Sequence, residues 1–358
     1  MQFAEVIFWT ALAIISYVYF GYPLLLLAWT KFGRRPVQKR PYEPTVALVI
    51  VMHNESANVH AKLQNCLSLD YPQEKLQIIV SLDAPNDNTE ALVREYCDSG
   101  VAVICSHTRR GKAAAINRGM TIAKGEVVVF ADARQRFERN AIRELVANFA
   151  DPSVGAVSGE LILLDNDGRE AANAVGLYWR YEKAIRSMES EIHSVPGASG
   201  AIYAIRRSLF EPLAPSTFLD DVMIPMRIVL KGKRAIFDPQ ARAYDRVIDV
   251  PALEYERKIR TLTGNYELLV QMQELLLPWR NPIFLQLLSH KVGRLVVPHC
   301  MGALFAANLF LLHGFYFLFF AGQLAWYGLA CAGWLLSPRS SGHPAAAPMP
   351  FEQPGRHL

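Results

Sequence analysis

Between residues 45 and 250 of this 358-residue chain, short apolar runs alternate with helical patterns, and that alternation constrains the fold more than any other feature of the sequence. Thr45 to Val51 is a continuous apolar run, as expected of a strand buried on both faces, and a helical pattern follows from Ser56 to Leu69. A strand at Gln77 to Leu82 comes next, then a helix near Thr89 to Cys97 and a strand at Val101 to Cys105. A helix at Lys112 to Ala123 and a strand at Glu126 to Phe130 continue the series. Strand and helix in alternation predict an α/β fold, a mostly parallel sheet with helices on both faces. Asp83, Asp132 and Asp221 each follow or flank an apolar run, and open α/β sheets hold ligands beyond the carboxyl ends of their strands.

The two ends of the chain have a different character. Val6 to Trp29 is an uncharged, apolar run that at about 1.5 Å per residue exceeds the roughly 30 Å hydrocarbon core of a bilayer. Met1 to Glu5 carries no basic residue, so an uncleaved anchor is expected in place of a signal peptide. Lys31, Arg34, Arg35, Lys39 and Arg40 follow it, and such a cluster faces the cytoplasm. Leu295 to Leu312 and Phe315 to Leu336, separated by His313 and Gly314, read as a transmembrane hairpin. Just before it, Ile283, Phe284, Leu287 and Leu288 alternate with Gln286, His290, Lys291 and Arg294, which fits either an interfacial helix or a buried amphipathic one. The Pro-rich stretch Ser337 to Leu358 is expected to be a disordered tail.

The expected organisation is therefore an anchor at 1–30, a basic linker at 31–44, an α/β domain at 45–265, interfacial helices at 266–294, a hairpin at 295–336 and a tail at 337–358. The domain would lie on the cytoplasmic face of the inner membrane. Net charge is +4, and much of the positive charge flanks the apolar segments, which points to anionic membrane lipids as partners and not to nucleic acid. Cys66, Cys97, Cys105, Cys300 and Cys331 have neither metal-type nor redox-type spacing and read as packing residues.

Five motifs occur in a telling order. They are Met52-His53-Asn54-Glu55, Ser81-Leu82-Asp83 with Asn86-Asp87-Asn88-Thr89, Gly111-Lys112 with Asn117-Arg118-Gly119, Asp132-Ala133-Arg134, and Leu219-Asp220-Asp221. Together they resemble the family-2 glycosyltransferases of the GT-A fold, over about residues 45 to 265. With the flanking apolar segments, the resemblance extends to the membrane-integrated branch that makes polysaccharides and glycolipids.

On that resemblance, Glu55 and Asp83 would bind the nucleoside of a sugar nucleotide, Asp83 accepting from a uracil N3–H; Asn54 capping a helix and Asp83 starting a turn are the ordinary alternatives. Lys112, just before a helix N-terminus, would meet the diphosphate. Asp132 matches the first aspartate of the family's metal motif, so a magnesium or manganese ion is expected there; Arg134 stands where a second acid is usual and is itself a candidate for the diphosphate. Asp221 would be the general base, its pKa raised by Asp220 beside an anionic donor. The glycines of Pro196-Gly197-Ala198-Ser199-Gly200-Ala201 match a region lining the acceptor site. Arg257-Lys258-Ile259-Arg260-Thr261 resembles the Gln/Arg-x-x-Arg-Trp signature of processive synthases, which assigns Arg260 to the diphosphate. Thr261 replaces the tryptophan, so long-chain processive synthesis is not implied.

The function implied is inverting transfer of a sugar from a nucleotide-sugar, a UDP-sugar in the first instance, to a glycan or lipid-linked acceptor. The setting would be exopolysaccharide, capsule or glycolipid synthesis, with export or synthase components as further partners. A different class of function is a catalytically silent membrane partner that keeps the fold and binds nucleotide or glycan within a synthase complex. A dinucleotide-dependent oxidoreductase is disfavoured, because Met52-His53-Asn54-Glu55 stands where its Gly-x-Gly-x-x-Gly would follow the first strand.

Overall fold

Long apolar runs and the strand–helix alternation resolve into three parts in the computed structural model, which describes residues 1–165, 170, 174–246 and 251–336. The expected tail, Ser337 to Leu358, lies outside the described residues. The N-terminal part is α1 (Gln2–Ser16) and α2 (Tyr22–Phe32), joined through a π-helical turn at Tyr17–Gly21. The domain then runs β1 (Val46–Met52), α3 (Val59–Leu67), β2 (Leu76–Asp83), α4 (Thr89–Arg94), β3 (Val101–Ser106), α5 (Lys112–Ile122), β4 (Val127–Asp132), β5 (Arg136–Phe137) and α6 (Ala141–Ala147). It continues with β6 (Val154–Leu164), α7 (Ala174–Ile192), β7 (Ile202–Arg206), α8 (Asp220–Leu230), β8 (Arg234–Arg246) and α9 (Pro251–Gln271). Last come the short α10 (Phe284–Gln286), a π-helical turn at Leu287–Val292, α11 (Gly293–Asn308) and α12 (Gly314–Leu336).

The strands form one eight-stranded sheet in the order β3-β2-β1-β4-β7-β6-β8-β5. Its first half is parallel, as the alternation predicts. The second half is not: β7 runs antiparallel to both β4 and β6, and β5 antiparallel to β8, while β6 and β8 are parallel. The sheet is therefore mixed: six of its eight strands run in one direction, in keeping with a mostly parallel sheet, and β7 and β5 are reversed. Long segments carry the chain from β4 to β6 and from β6 to β7, and β7 enters the gap between β4 and β6 in the reverse sense.

Both faces of the central strands are covered, which explains their continuous apolar sequences. Val46, Leu48, Ile50 and Met52 pack with Leu63 of α3, Val93 of α4 and Leu145 of α6. Ala47 and Val49 face Ile116 of α5 and share a cluster with Met226 of α8 and Leu268 of α9. A fully buried leucine or isoleucine of this kind contributes about 1.5 to 3 kcal/mol.

Residues 2–32 and 314–333 form helices long and apolar enough to cross a membrane, judged by length and composition. Of the expected hairpin, the second arm meets that measure. The first arm, α11, packs against α1 through Phe8, Ala11, Cys300, Leu304 and Ala307. Outward-facing Phe3, Trp9, Phe20, Leu318 and Trp326 leave these helices with an apolar exterior. The α/β domain rests on them through α7, where Ile185 and Ile192 pack on Tyr22 and Leu26 of α2.

Candidate functional site

The carboxyl ends of β1, β2 and β4 open into a cleft of about 920 Å³. Glu55, Asp83, Lys112, Asp132, Asp221 and Arg260, spread over more than 200 positions of sequence, all line it. Asp83 and Asp132 are the last residues of β2 and β4, Glu55 lies on the loop after β1, Lys112 and Asp221 lie in the first turns of α5 and α8, and Arg260 descends from α9.

Two adjacent loops build the first wall. Asn54 has φ 44°, a left-handed conformation that asparagine tolerates, and its Oδ1 accepts from the Asn86 amide at 2.9 Å. It ties the β1 and β2 loops together and does not cap α3, whose N-cap position is Asn58. The Glu55 amide donates to Thr89 Oγ1 at 2.7 Å, which turns the Glu55 side chain to the cleft. Burial raises the Glu55 carboxyl above its ordinary range, against the Asn58 Nδ2 donor at 2.6 Å.

Asp83 is buried and well used. Its Oδ1 accepts from the Arg110 amide and from Arg118 Nη2, both at 3.1 Å, and Oδ2 accepts from the Gly111 amide at 2.7 Å. A carboxylate oxygen offers two lone pairs, so Oδ2 retains room for one more donor. The Asn117-Arg118-Gly119 motif thereby acquires a structural role: Arg118 holds Asp83, and Asn117 exchanges hydrogen bonds with the backbone of Leu213 at 2.8 and 2.9 Å, fixing the loop that leads to α8.

Lys112 sits among carboxylates. Its Nζ lies 2.8 Å from Asp132 Oδ1 and 3.2 Å from Asp220 Oδ1. Burial works against its charge, but Asp132, Asp220 and Asp221 outweigh burial and hold the ammonium well above the ordinary lysine range. Asp220 is buried and its other oxygen accepts from Tyr203 Oη at 3.0 Å, so this carboxylate is a fixed strut under Lys112.

Asp221 is the cleft aspartate shifted toward its neutral form. It lies in the first turn of α8, where helix amides favour a negative charge. Burial first, and repulsion from Asp220 second, nevertheless push its carboxyl up from 3.8 to about 6, against the attraction of Lys112 and Lys291. The loop expected to line an acceptor site closes on it: the Ala198 amide donates to the Asp221 carbonyl at 2.7 Å, and a Cβ on Gly200 would lie 3.0 Å from Asp221 Oδ2. Having no Cβ, Gly200 lets the loop approach the carboxylate that closely.

Arg260, with Arg257 and Thr261, reaches the cleft from α9. The helix is seated by Gly264, where a Cβ would lie only 2.5 Å from Leu219 Cγ, immediately before the Asp220-Asp221 pair. Thr261 turns its hydroxyl back to the Arg257 carbonyl at 2.9 Å. Arg134 is drawn sideways to Asp245 Oδ2 at 3.0 Å, with Gln135 Nε2 on the same oxygen at 2.7 Å, although it still lines the cleft.

Among the described residues no group of three or more His, Cys, Asp or Glu side chains is arranged to hold a metal by itself. A nucleotide-bound divalent cation does not require one, since phosphate oxygens and water complete its shell around one or two carboxylates. Asp132 suits that role: its side chain is 40 % exposed to the cleft, and Lys112 engages its Oδ1.

One site residue escaped the sequence reading. Lys291 lines the cleft near Asp221, which partly offsets the lowering that burial imposes on the lysine. In sequence it belongs to the amphipathic segment before the apolar run at 295–312, with nothing local to place it beside Asp221. Its neighbour His290 is buried, with Nδ1 2.9 Å from Glu189 Oε1 and Nε2 2.8 Å from Glu182 Oε1, both on α7. Tyr22 of α2 donates to the same Glu189 oxygen at 2.6 Å, and Arg294 Nη1 to Glu182 Oε2 at 2.7 Å. The polar residues of the 283–294 segment thus turn inward onto the domain, with Gln286 and His290 one helical turn apart the only local sign of it.

Comparison with known proteins adds three findings. Residues 47–213 match the family described as Glycosyl transferase family 2. Over 236 residues the chain is 25 % identical to the probable glycosyltransferase YdaM of Bacillus subtilis and 24 % identical to the poly-beta-1,6-N-acetyl-D-glucosamine synthase of Staphylococcus aureus. These alignments take in 62 % and 63 % of this chain but only 55 % and 56 % of those proteins, so the chain spans about half the length of the curated relatives it matches. A mannosyltransferase of Pyrobaculum calidifontis, solved with GDP-Man and Mn2+, superposes with a TM-score of 0.69 at 24 % identity, covering 93 % of this chain and 99 % of that one. That likeness concerns the fold.

Proposed function

We propose that the protein, whose residues 47–213 match the Glycosyl transferase family 2, transfers a sugar from a nucleotide-sugar to the hydroxyl of a glycan or lipid-linked acceptor, with inversion, at the cytoplasmic surface of a membrane. The observation that carries this reading is the convergence of Glu55, Asp83, Lys112, Asp132, Asp221 and Arg260 on one cleft. A membrane setting draws support from the two long apolar helices.

The chemistry follows from the residues. Glu55 and the remaining lone pair of Asp83 Oδ2 receive the nucleoside, for which a uracil N3–H is the donor we favour. Asp221, with its carboxyl at about 6, is largely ionised at neutral pH yet basic enough to take the acceptor proton. The freed oxygen attacks the anomeric carbon from the face opposite the diphosphate. The bond to the diphosphate breaks with its electron pair leaving on phosphate oxygen, so an α-linked donor gives a β-linked product. Lys112 and Arg260 place fixed positive charge where that negative charge develops. Asp132 would hold a magnesium or manganese ion, which would supply Lewis-acid stabilisation of the same leaving group. With the donor seated, Lys112 exchanges part of its contact with Asp132 for phosphate oxygen.

The test is nucleotide release and sugar transfer by the full chain in nanodiscs, across UDP- and GDP-sugars, with and without manganese or magnesium. Metal-dependent release that is lost in Asp132→Ala and in Asp221→Asn is expected. Donor binding with no turnover under any condition would refute catalysis and leave a nucleotide-binding partner within a synthase complex.

A further inference from the structure

A second cavity, of about 160 Å³, lies between β6 and α7 and shares no lining residue with the donor cleft. Its volume is the share of about five waters, room for one sugar ring and not for a chain. Glu160, Trp179, Lys183, Arg186 and Phe237 supply its chemistry.

Its position relates it to the reaction. Val129 of β4 and Val157 of β6 pair with the same residue of β7, Ala204, so Asp132 and Glu160, each three residues further on, stand about level at the same edge of the sheet. Two strand spacings separate them, about 10 Å. Arg186, in the cavity wall, donates to Ser158 Oγ at 2.8 Å and to the Gly197 carbonyl at 3.4 Å, and Ser158 Oγ accepts from the Ser199 amide at 2.9 Å. These bonds anchor the loop whose Ala198 and Gly200 enclose Asp221. The cavity is thus linked to the loop beside the base through Arg186 and Ser158, and β6 stands beyond β4 and β7 from the strands that carry Glu55 and Asp83.

Its lining also specifies a ligand class. Glu160 is only 8 % exposed; its Oε1 is held by Lys183 at 2.6 Å, while Oε2 is buried and has no hydrogen-bond partner among the described residues. A buried carboxylate oxygen without a donor is costly, and a ligand hydroxyl would satisfy it. The Arg186 guanidinium lies 4.8 Å from the centre of the Phe237 ring, and Trp179 presents a partly exposed indole. Acidic and basic groups balance within the wall, which opposes an anion such as a phosphate headgroup and suits an uncharged polyol that both donates and accepts. An aromatic face completes the recognition of a pyranose ring.

We propose that this cavity is a subsite for one uncharged sugar unit of the acceptor, distal to the reacting hydroxyl, with Glu160 and Lys183 reading hydroxyl groups and Trp179 stacking on the ring. The assignment to an acceptor rests on the glycosyltransferase reading; the assignment of a sugar site does not. The probes are tetrasaccharides of β-linked glucose, N-acetylglucosamine and mannose, titrated onto the full chain in nanodiscs without donor, with binding read by saturation-transfer NMR and by tryptophan fluorescence. At least one is expected to bind, and Trp179→Ala, a partly exposed position that leaves the core intact, is expected to weaken it about tenfold. Lys183→Met should do likewise. In turnover assays the same variants should raise the acceptor KM about tenfold while leaving kcat and the donor KM unchanged. Equal binding by wild type and both variants, or binding of none of the three tetrasaccharides, overturns the subsite. Trp179-dependent binding in a protein that turns over no donor would uphold the sugar site and refute the catalytic reading instead.

Discussion

Asp221→Asn should make the protein more stable and less active at once, and both effects can be worked from the raised carboxyl. The side chain titrates at about 6 in the folded chain against 3.8 ordinarily, so folding favours its protonated form. For an acid shifted upward, that preference is harmless below pH 3.8 and becomes a stability loss as pH rises through the window from 3.8 to 6. Above pH 7 the loss reaches about 3 kcal/mol, since each pKa unit corresponds to about 1.4 kcal/mol, and at pH 5 it is about half as large. Asparagine is uncharged at every pH and escapes it. Thermal unfolding in detergent at pH 8 and pH 5 is therefore expected to show the variant more stable than wild type at both, with the larger gap at pH 8. Turnover at pH 7 and above should fall by a factor of about 10² to 10⁴. Wild-type kcat should itself fall about tenfold between pH 7 and pH 5, whereas a carboxylate of ordinary pKa would stay ionised across that range. A variant that melts below wild type at pH 8, or a gap that is the same at both pH values, would refute the raised base.

Three other substitutions probe the rest of the site. Lys112→Met leaves Asp132 and Asp220 facing Asp221 without their shared cation, so the acidic limb of the kcat–pH profile should move to higher pH and the donor KM should rise, both measurable by steady-state nucleotide release. Gly264→Ala puts a methyl group 2.5 Å from Leu219 Cγ and should lower stability by about 1 to 3 kcal/mol, with a loss of kcat from displacement of the loop carrying Asp220 and Asp221; a variant with wild-type melting and turnover would show that α9 is not seated there. His290→Asn removes the group between Glu182 and Glu189 and should cost about 3 to 5 kcal/mol. Both ring nitrogens face carboxylates, and although burial opposes the charge, Glu189 and Glu182 raise the imidazole above its ordinary value. Its contribution is then complete below pH 6.5 and fades as pH rises through the folded value, so the difference in Tm between wild type and variant should narrow in alkaline buffer.

The Lys291 and His290 pair shows how a residue can be plain in sequence and hidden in role. A lysine and an arginine before an apolar run carry the pattern of a membrane flank, and nothing local marks Lys291 as belonging beside Asp221. The turn that aims it is fixed by His290 between two glutamates more than 100 positions earlier, on a helix that itself rests on α2. Arg134 is the converse case: its sequence position beside Asp132 points to phosphate, and Asp245, on a strand 111 positions away, draws it aside.

By itself the sequence determined the parallel half of the sheet and most of the candidate site. Fully buried strands must be apolar throughout, helix starts collect glycine and polar residues, and the groups that meet ligands follow strand ends, so each leaves a pattern within a window of ten residues. Glu55, Asp83, Lys112, Asp132 and Asp221 all lie at such junctions. Tertiary structure alone decided the antiparallel insertion of β7, the fixing of Asp83 by Arg118, the enclosure of Asp221 by Gly200, the seat of α9 at Gly264 and the arrival of Lys291. Each of these joins segments far apart in the chain, and their pairing is chosen by packing and charge across the folded core, for which no local periodicity exists to be read.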